Sequence, residues 1–476
     1  MKNLKRKNAG LEKRLHFIGI GGIGMSGLAQ MFAAEGAIVS GSDRGIHQPE
    51  NKRIFDSLRK QGIELYEQDG SYMNGPRPDA LVYSTAIEED NPDFLAGAEI
   101  ARIHRSKAIA IAMEQSDSCV LTAVTGSCGK TTVSAWLAET MTRLGNAPSF
   151  LTGGLVNNFA KGKWAGNYYQ GTDGHMILEA DESDKSLTAY SPDYALILNV
   201  GTDHYPKDEL LAVFKEFLKK VKKGVVIEQN VYELLGKEAV KGLEVKLFSA
   251  DIGKASLHSN WRLTDYTTGA EGAKAEINGK YRLNLPAPGI HVAANALAVF
   301  ASLDMLGINL KNAAEAISQF KGVWRRFDYA GMTLSGAKIY DDYAHNVEKI
   351  ASCISAAKEI SSGKTVTIFQ PHGYGPLGFM RNELFNALEN VLSDSDVFAM
   401  LPVFYAGGSS SFKPSSEEVV ADYCKASGKN YEYFASRDAA SDFIKKNVNS
   451  GDTVLILGAR DNSLSDWSQK IANKAC

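Results

Sequence analysis

Charge of one sign is what this chain most plainly lacks. Its 52 lysines and arginines stand against 55 aspartates and glutamates, leaving a formal charge of −3 over 476 residues. That balance excludes the basic footprint on which binding to a nucleic-acid backbone depends, so no nucleic-acid partner is expected. Cysteine is scarce as well: Cys119, Cys128, Cys353, Cys424 and Cys476 show no C-x-x-C spacing. Neither a disulfide framework nor a structural zinc is expected, and the thiols read as reduced ones in a cytoplasmic protein. Long hydrophobic runs are missing too. The run that begins at Leu15 is broken repeatedly by glycine before Leu28, so neither a membrane span nor a secretory leader is expected. The basic stretch MKNLKRKNAGLEKR reads as a solvated terminus.

What is present is an alternation of short apolar strands and helical patterns, too long for one core. LHFIGI, AIVSGSD and LVYSTA read as strands of a first unit, and CVLTAVTG, HMILEAD and YALILNVG as strands of a second. Residues 254–286 read as short antiparallel strands, and AKIYDDYAH, TVTIFQPH, DVFAMLPV and DTVLILGA as strands of a third unit. The expected fold is α/β in three domains. These are a Rossmann-like domain over 1–118, a central P-loop ATPase domain over 119–326 and a Rossmann-like α/β domain over 327–476.

Two glycine loops carry chemistry. Gly19-Ile20-Gly21-Gly22-Ile23-Gly24 follows a strand and opens a helix. Its backbone amides can approach a pyrophosphate, and Asp43 is placed to reach a ribose. NAD, another nucleotide diphosphate and a plain sharp turn all remain open on this motif alone. The second loop, Gly126-Ser127-Cys128-Gly129-Lys130-Thr131-Thr132, lacks the first glycine of an ordinary Walker motif, since Val124 stands there. It keeps the parts that matter: amides to cradle phosphates, Lys130 for the β/γ oxygens and the Thr131 hydroxyl for Mg²⁺. A dehydrogenase has no use for ATP, and a simple kinase has none for a second nucleotide domain. Both loops in one chain favour an ATP-driven enzyme whose substrate itself carries a nucleotide diphosphate.

Acidic residues follow at the next strand end. Glu179 in EADESD is placed to bind magnesium, with Asp181, Glu182 and Asp184 beside it, and NVGTDH brings His204 to the same sheet edge. A solvated acidic loop is the plain alternative; a metal–ATP site needs such carboxylates because Mg²⁺ bridges phosphate and carboxylate oxygens.

VTGSCGKTT, EADESD, the Asp-His pair, APGIHVAANALA, RRFD and YDDYAH occur in the order found in the Mur ligases, ATP-dependent enzymes of peptidoglycan assembly. The sequence resembles that family from about residue 15 to about 460. HFIGIGGIGMSGLA, GSD and YSTAIEEDNP are most similar to members that join UDP-N-acetylmuramate to L-alanine. The resemblance implies that the first domain holds UDP, not NAD, through Gly21, Gly22, Gly24, Ser42, Asp43 and Ser84. It implies ATP on Gly126, Ser127, Gly129, Lys130, Thr131 and Thr132, magnesium near Thr131, Glu179 and His204, and adenine near His291 and Asn295. Arg326, Asp342 and His345 of the carboxy-terminal domain would reach the nucleotide and acceptor, with Lys130, Glu179, His204, Arg326 and His345 as the catalytic set. A monomer or homodimer is expected. Members that add a preformed peptide, an NAD-dependent oxidoreductase and a non-catalytic relative are the alternatives.

The match weakens at the acceptor. Relatives that add alanine follow QPH with an arginine and more arginine-rich sequence, where this chain has Gly373 and a Gly-Pro-Leu-Gly run. The tandem histidine of the YDDYAH motif has become His345-Asn346. A bidentate arginine–carboxylate contact is not replaced by glycine, so Arg381 or Arg460 is expected to take over recognition of the acceptor.

Overall fold

The computed structural model describes residues 13–114, 119–182, 186–201, 207–252, 259–269, 272–405 and 412–473. Three sheets organise the described chain, each with its own domain. The first has five parallel strands in the order Glu64–Tyr66, Ile38–Ser42, Arg14–Ile18, Ala80–Tyr83, Ala101–His104. Strand order reverses at Arg14–Ile18, so the glycine loop that follows it opens at the switch point, where open α/β sheets bind ligands.

In the second sheet Val120–Thr125 lies between His175–Glu179 and Tyr194–Ile197, parallel to both. That order brings three strand ends, far apart in sequence, to one edge. Ser149–Leu151 and the short strand Tyr168–Tyr169 extend the sheet on one side. Gly224–Glu228, Glu244–Ser249 and the antiparallel ribbon Trp261–Gly269, Gly272–Ile277 and Tyr281–Leu285 extend it on the other. The ribbon falls within the segment read as antiparallel strands. The P-loop helix Lys130–Arg143 meets helix Ala313–Ser318 through Trp136, which is fully buried, stacks on Phe320 at 4.9 Å and donates its indole N–H to the Ile317 carbonyl at 2.9 Å. Burying one such side chain contributes about 3 kcal/mol.

The third sheet runs Asp328–Met332, Lys338–Asp342, Thr453–Leu457, Thr365–Phe369, Val397–Met400, Asn430–Tyr433, with only the first pair antiparallel. Its central strands TVLIL and TVTIF are buried along their whole length, as strands covered by helices on both faces must be.

By packing, residues up to Arg262 together with Asn295–Val323 form one compact unit. Leu263–Ala294 and the residues from Trp324 onward form a second. The first two sheets therefore share a unit, apart from most of the ribbon. No helix among the described residues is long and apolar enough to cross a membrane.

Candidate active site

The second glycine loop is held open by residues from a neighbouring strand end. Asn199, two residues past Tyr194–Ile197, accepts from the Cys128 N–H at 2.8 Å and donates to the Cys128 carbonyl at 2.9 Å. Ser127 accepts from the Gly201 N–H at 2.7 Å. An amide side chain that satisfies both the N–H and the C=O of one residue fixes that turn as a strand partner would. Gly129 sits at φ +87, and a Cβ there would lie 2.7 Å from Asn295 Oδ1, so neither backbone nor neighbour tolerates a side chain. Helix Lys130–Arg143 begins at once, aiming its free N–H groups at the loop.

Lys130 and Thr131 face the acidic strand end. Lys130 Nζ is 2.6 Å from Glu182 Oε2 and 3.6 Å from Asp181 Oδ1. Burial works against the ammonium charge, but the two carboxylates outweigh it and hold the lysine above its ordinary range. Burial pushes the Glu182 carboxyl up in turn, against the pull of Lys130. Thr131 donates to Glu179 Oε1 at 2.8 Å, and the Gly153 N–H donates to Glu179 Oε2 at 2.5 Å. The hydroxyl and the carboxylate expected around magnesium thus touch each other. His204 and Asp184 lie outside the described residues.

At the first glycine loop, Asp43 accepts from the Gly21 N–H at 2.8 Å and the Gly45 N–H at 2.7 Å, while burial raises its carboxyl above the usual range. Gly22 precedes helix Ile23–Ala34. A Cβ on Gly24 would lie 2.6 Å from Arg105 Nη1, so the guanidinium that follows strand Ala101–His104 rests against the loop. Ser84 stands just past strand Ala80–Tyr83 at the same edge. Ser42 is placed otherwise than expected: it is fully buried, and its hydroxyl donates to Asp93, which is also buried. His16 joins them, with Nε2 3.3 Å from Ser42 Oγ. Ser42 supports the loop from within, its carbonyl accepting from the Gly19 and Ile20 N–H groups at 2.9 and 3.0 Å.

The third sheet brings its own set to one edge. His345, His372 and Arg460 follow the adjacent strands Lys338–Asp342, Thr365–Phe369 and Thr453–Leu457. The two imidazoles meet edge to face at 5.2 Å, and burial lowers each to about 4, Arg460 adding to the effect on His372. Both are neutral at neutral pH. Asp342 accepts from the Phe327 and Ala344 N–H groups at 2.6 and 2.7 Å. Of the paired arginines, Arg325 is buried against Asp341, with Nε 3.0 Å from Oδ2, and donates to the Gly458 and Asp461 carbonyls. Arg326, only partly buried, lies over the Tyr343 ring at 5.4 Å, and the Arg325 guanidinium lies over the same ring at 5.3 Å. Positive φ at Arg325 and Phe327 gives this segment a sharp path. Asn346 caps helix Val347–Ile360 by accepting from the Lys349 N–H.

Against known proteins, the chain matches the Mur ligase family catalytic domain over residues 14–117, the Mur ligase middle domain over 124–303 and the Mur ligase glutamate ligase domain over 325–460. A UDP-N-acetylmuramate–L-alanine ligase from Chelativorans sp. (strain BNC1) is 30% identical over 97% of this chain and 98% of its own. The chain belongs to the Mur ligase family. The crystal structure of the UDP-N-acetylmuramate–alanine ligase from Thermotoga maritima superposes with a TM-score of 0.77 at 28% identity, over 97% of this chain and 99% of that one. A murein peptide ligase from Psychrobacter arcticus 273-4 shares the fold, with a TM-score of 0.68 at 21% identity over 96% and 98% of the two chains.

In this Mur ligase the backbone N–H of Arg460 donates to Tyr343 Oη at 3.1 Å, and the charge of its exposed side chain acts on His372, whereas Arg381 stands on a helix. Arg381 is exposed two turns into helix Tyr374–Val391, about 10 Å along its axis, with its carbonyl bonded to Tyr423. Gly373, at φ +134, holds a conformation that strains any side-chain-bearing residue. His291 is exposed in the first turn of helix Ile290–Met305. Asn199, Arg105 and Arg325 escaped the sequence reading. A glycine loop ends in a visible pattern, but its partners from other strands carry none.

Proposed function

We propose that this Mur ligase joins the carboxylate of UDP-N-acetylmuramate to the amine of L-alanine through an acyl phosphate, at the expense of ATP, in cytoplasmic peptidoglycan precursor synthesis. The observation that carries this reading is the corner made by Lys130, Thr131 and Glu179 at the end of a clamped phosphate loop. Full-length similarity to an L-alanine-adding relative supports the choice of substrates.

A carboxylate alone is a poor acyl donor, because its leaving group would be oxide. Moving the γ-phosphoryl group onto it creates a leaving group that an amine can displace. Lys130, exchanging Glu182 for phosphate oxygens, would neutralise charge on the transferring group, and Arg326 would add to this. The glycine loop and Arg105 would hold the UDP diphosphate, and Arg460 the acceptor carboxylate. Thr131 and Glu179 fit a magnesium ion, since both offer hard oxygen donors in contact and such an ion takes its other ligands from water and phosphate. When bound, the ion supplies Lewis-acid neutralisation of the phosphates.

Phosphate release from ATP with UDP-N-acetylmuramate and, separately, L-alanine, L-serine, glycine or an alanyl-glutamyl tripeptide tests the reading. Release with L-alanine is expected. Release with the tripeptide alone would move the chain to the peptide-adding members, and none with any acceptor would sink the ligase assignment.

A further inference from the structure

The helix that follows the first glycine loop meets the P-loop domain through amides and hydroxyls as well as carbon. Ile23, Ser26, Gly27 and Gln30 share one side of helix Ile23–Ala34 by their spacing, and Ser26 and Gln30 are fully buried. Asn167, also fully buried and just before strand Tyr168–Tyr169, sits against them. Its Nδ2 donates to the Ile23 carbonyl at 2.6 Å and to Ser26 Oγ at 2.8 Å, and its Oδ1 accepts from Gln30 Nε2 at 2.8 Å. Gln30 Oε1 accepts from the Ala165 N–H at 3.1 Å and from Gln61 Nε2 at 3.0 Å. Gly27 packs so closely that a Cβ would lie 2.7 Å from Leu151 Cδ1.

The same asparagine leads to the phosphate corner. Its carbonyl accepts from the Thr152 N–H at 2.9 Å. The next N–H, of Gly153, donates to Glu179, which holds Thr131. A purely apolar contact is non-directional and would let the helix slide or turn. Buried amides paired as those of Asn167 and Gln30 allow one register.

We propose that Asn167 is a positioning residue that fixes the glycine-loop helix on the P-loop domain. A carboxylate presented from the first loop then meets the γ-phosphate at the second in one geometry. This rests on the ligase reading above, with Asn167 acting through Ile23 and Glu179 and not on the reacting atoms.

The test uses the full chain, phosphate release with UDP-N-acetylmuramate and L-alanine, and the variants Asn167→Ala and Gln30→Met. Misplacement by about 1 Å costs on the order of 100-fold in rate. Asn167→Ala is therefore expected to lower kcat about 10- to 100-fold, with KM for ATP and for the nucleotide sugar each within about threefold. Gln30→Met, which keeps volume, should lower kcat less at the same KM values, and the double variant should lose less than the product of the two single losses. Unchanged kcat in Asn167→Ala overturns the proposal, and so does a loss confined to KM, which marks a merely structural role. Should Asn167→Ala not fold, Gln30→Met decides alone: lower kcat at unchanged KM supports positioning, and unchanged kcat overturns it. A wild type that releases no phosphate with any acceptor fails the ligase reading and this proposal with it, a result separate from failure of the variants.

Discussion

Lys130 is mostly buried, with 13% of its side chain exposed, and charged, and Glu182 is the group that makes this tolerable. A lysine so held is ready to exchange one set of anionic oxygens for another. Lys130→Ala should lower kcat by at least about 100-fold, the scale of losing one preorganised charge at a reacting group, while UDP-N-acetylmuramate still binds by calorimetry; an active variant would remove Lys130 from the chemistry. At the acceptor edge, Arg460→Ala should raise KM for L-alanine about 10-fold or more, as loss of a charge-assisted contact does, and Arg381→Ala should leave it unchanged; the reverse result would put recognition on the helix. His345 and His372 carry a pH signature. Burial holds both at about 4, below the ordinary imidazole value of about 6.5. Between those values the unfolded chain binds protons that the folded one excludes. Their contribution to stability is thus complete above about pH 6.5 and is lost as pH falls toward 4. In urea titrations, His345→Asn/His372→Asn should lose less stability than the wild type between pH 7 and pH 4.5, and equal losses would contradict the assignment.

Elements decide whether the loops are usable. The P-loop follows its own strand, yet its shape depends on the end of Tyr194–Ile197, because Asn199 pairs both the N–H and the C=O of Cys128. Asn199→Ala removes two hydrogen bonds worth roughly 1 kcal/mol each. The expected result is a rise of about 10-fold in KM for ATP with the melting temperature lowered by about 4–8 °C, read by initial rates and calorimetry. An unaltered KM would show that the loop holds its shape alone. The first loop has a comparable brace in Asp43 and Ser42, one from a strand end and one from inside the sheet.

At the scale of the whole molecule, Arg325 joins the start of the third domain to two strand ends through Asp341, Gly458 and Asp461. Arg325→Met leaves Asp341 buried without its partner, at a cost of about 3–5 kcal/mol. Urea unfolding of the full chain should show the transition of the carboxy-terminal domain moved to lower denaturant by that amount, with the first unit's transition in place. One coincident shift of both would mean that the two units unfold together.

The sequence by itself determined the three α/β domains, both glycine loops and the Lys-Thr pair, because these are contiguous signals: a strand, a turn that needs glycine, then a helix. Strands such as Ala101–His104, whose first residues are exposed, and Tyr168–Tyr169, only two residues long, were not legible, since short or exposed segments carry no apolar period. The tertiary structure alone decided the partners. Lys130 and Glu182 are 52 residues apart, Cys128 and Asn199 71, and Ile23 and Asn167 144. It also decided which of two adjacent arginines is buried and which of two distant ones acts on His372. Strand order and register set who faces whom across a sheet edge, and no local pattern in the chain encodes that distance.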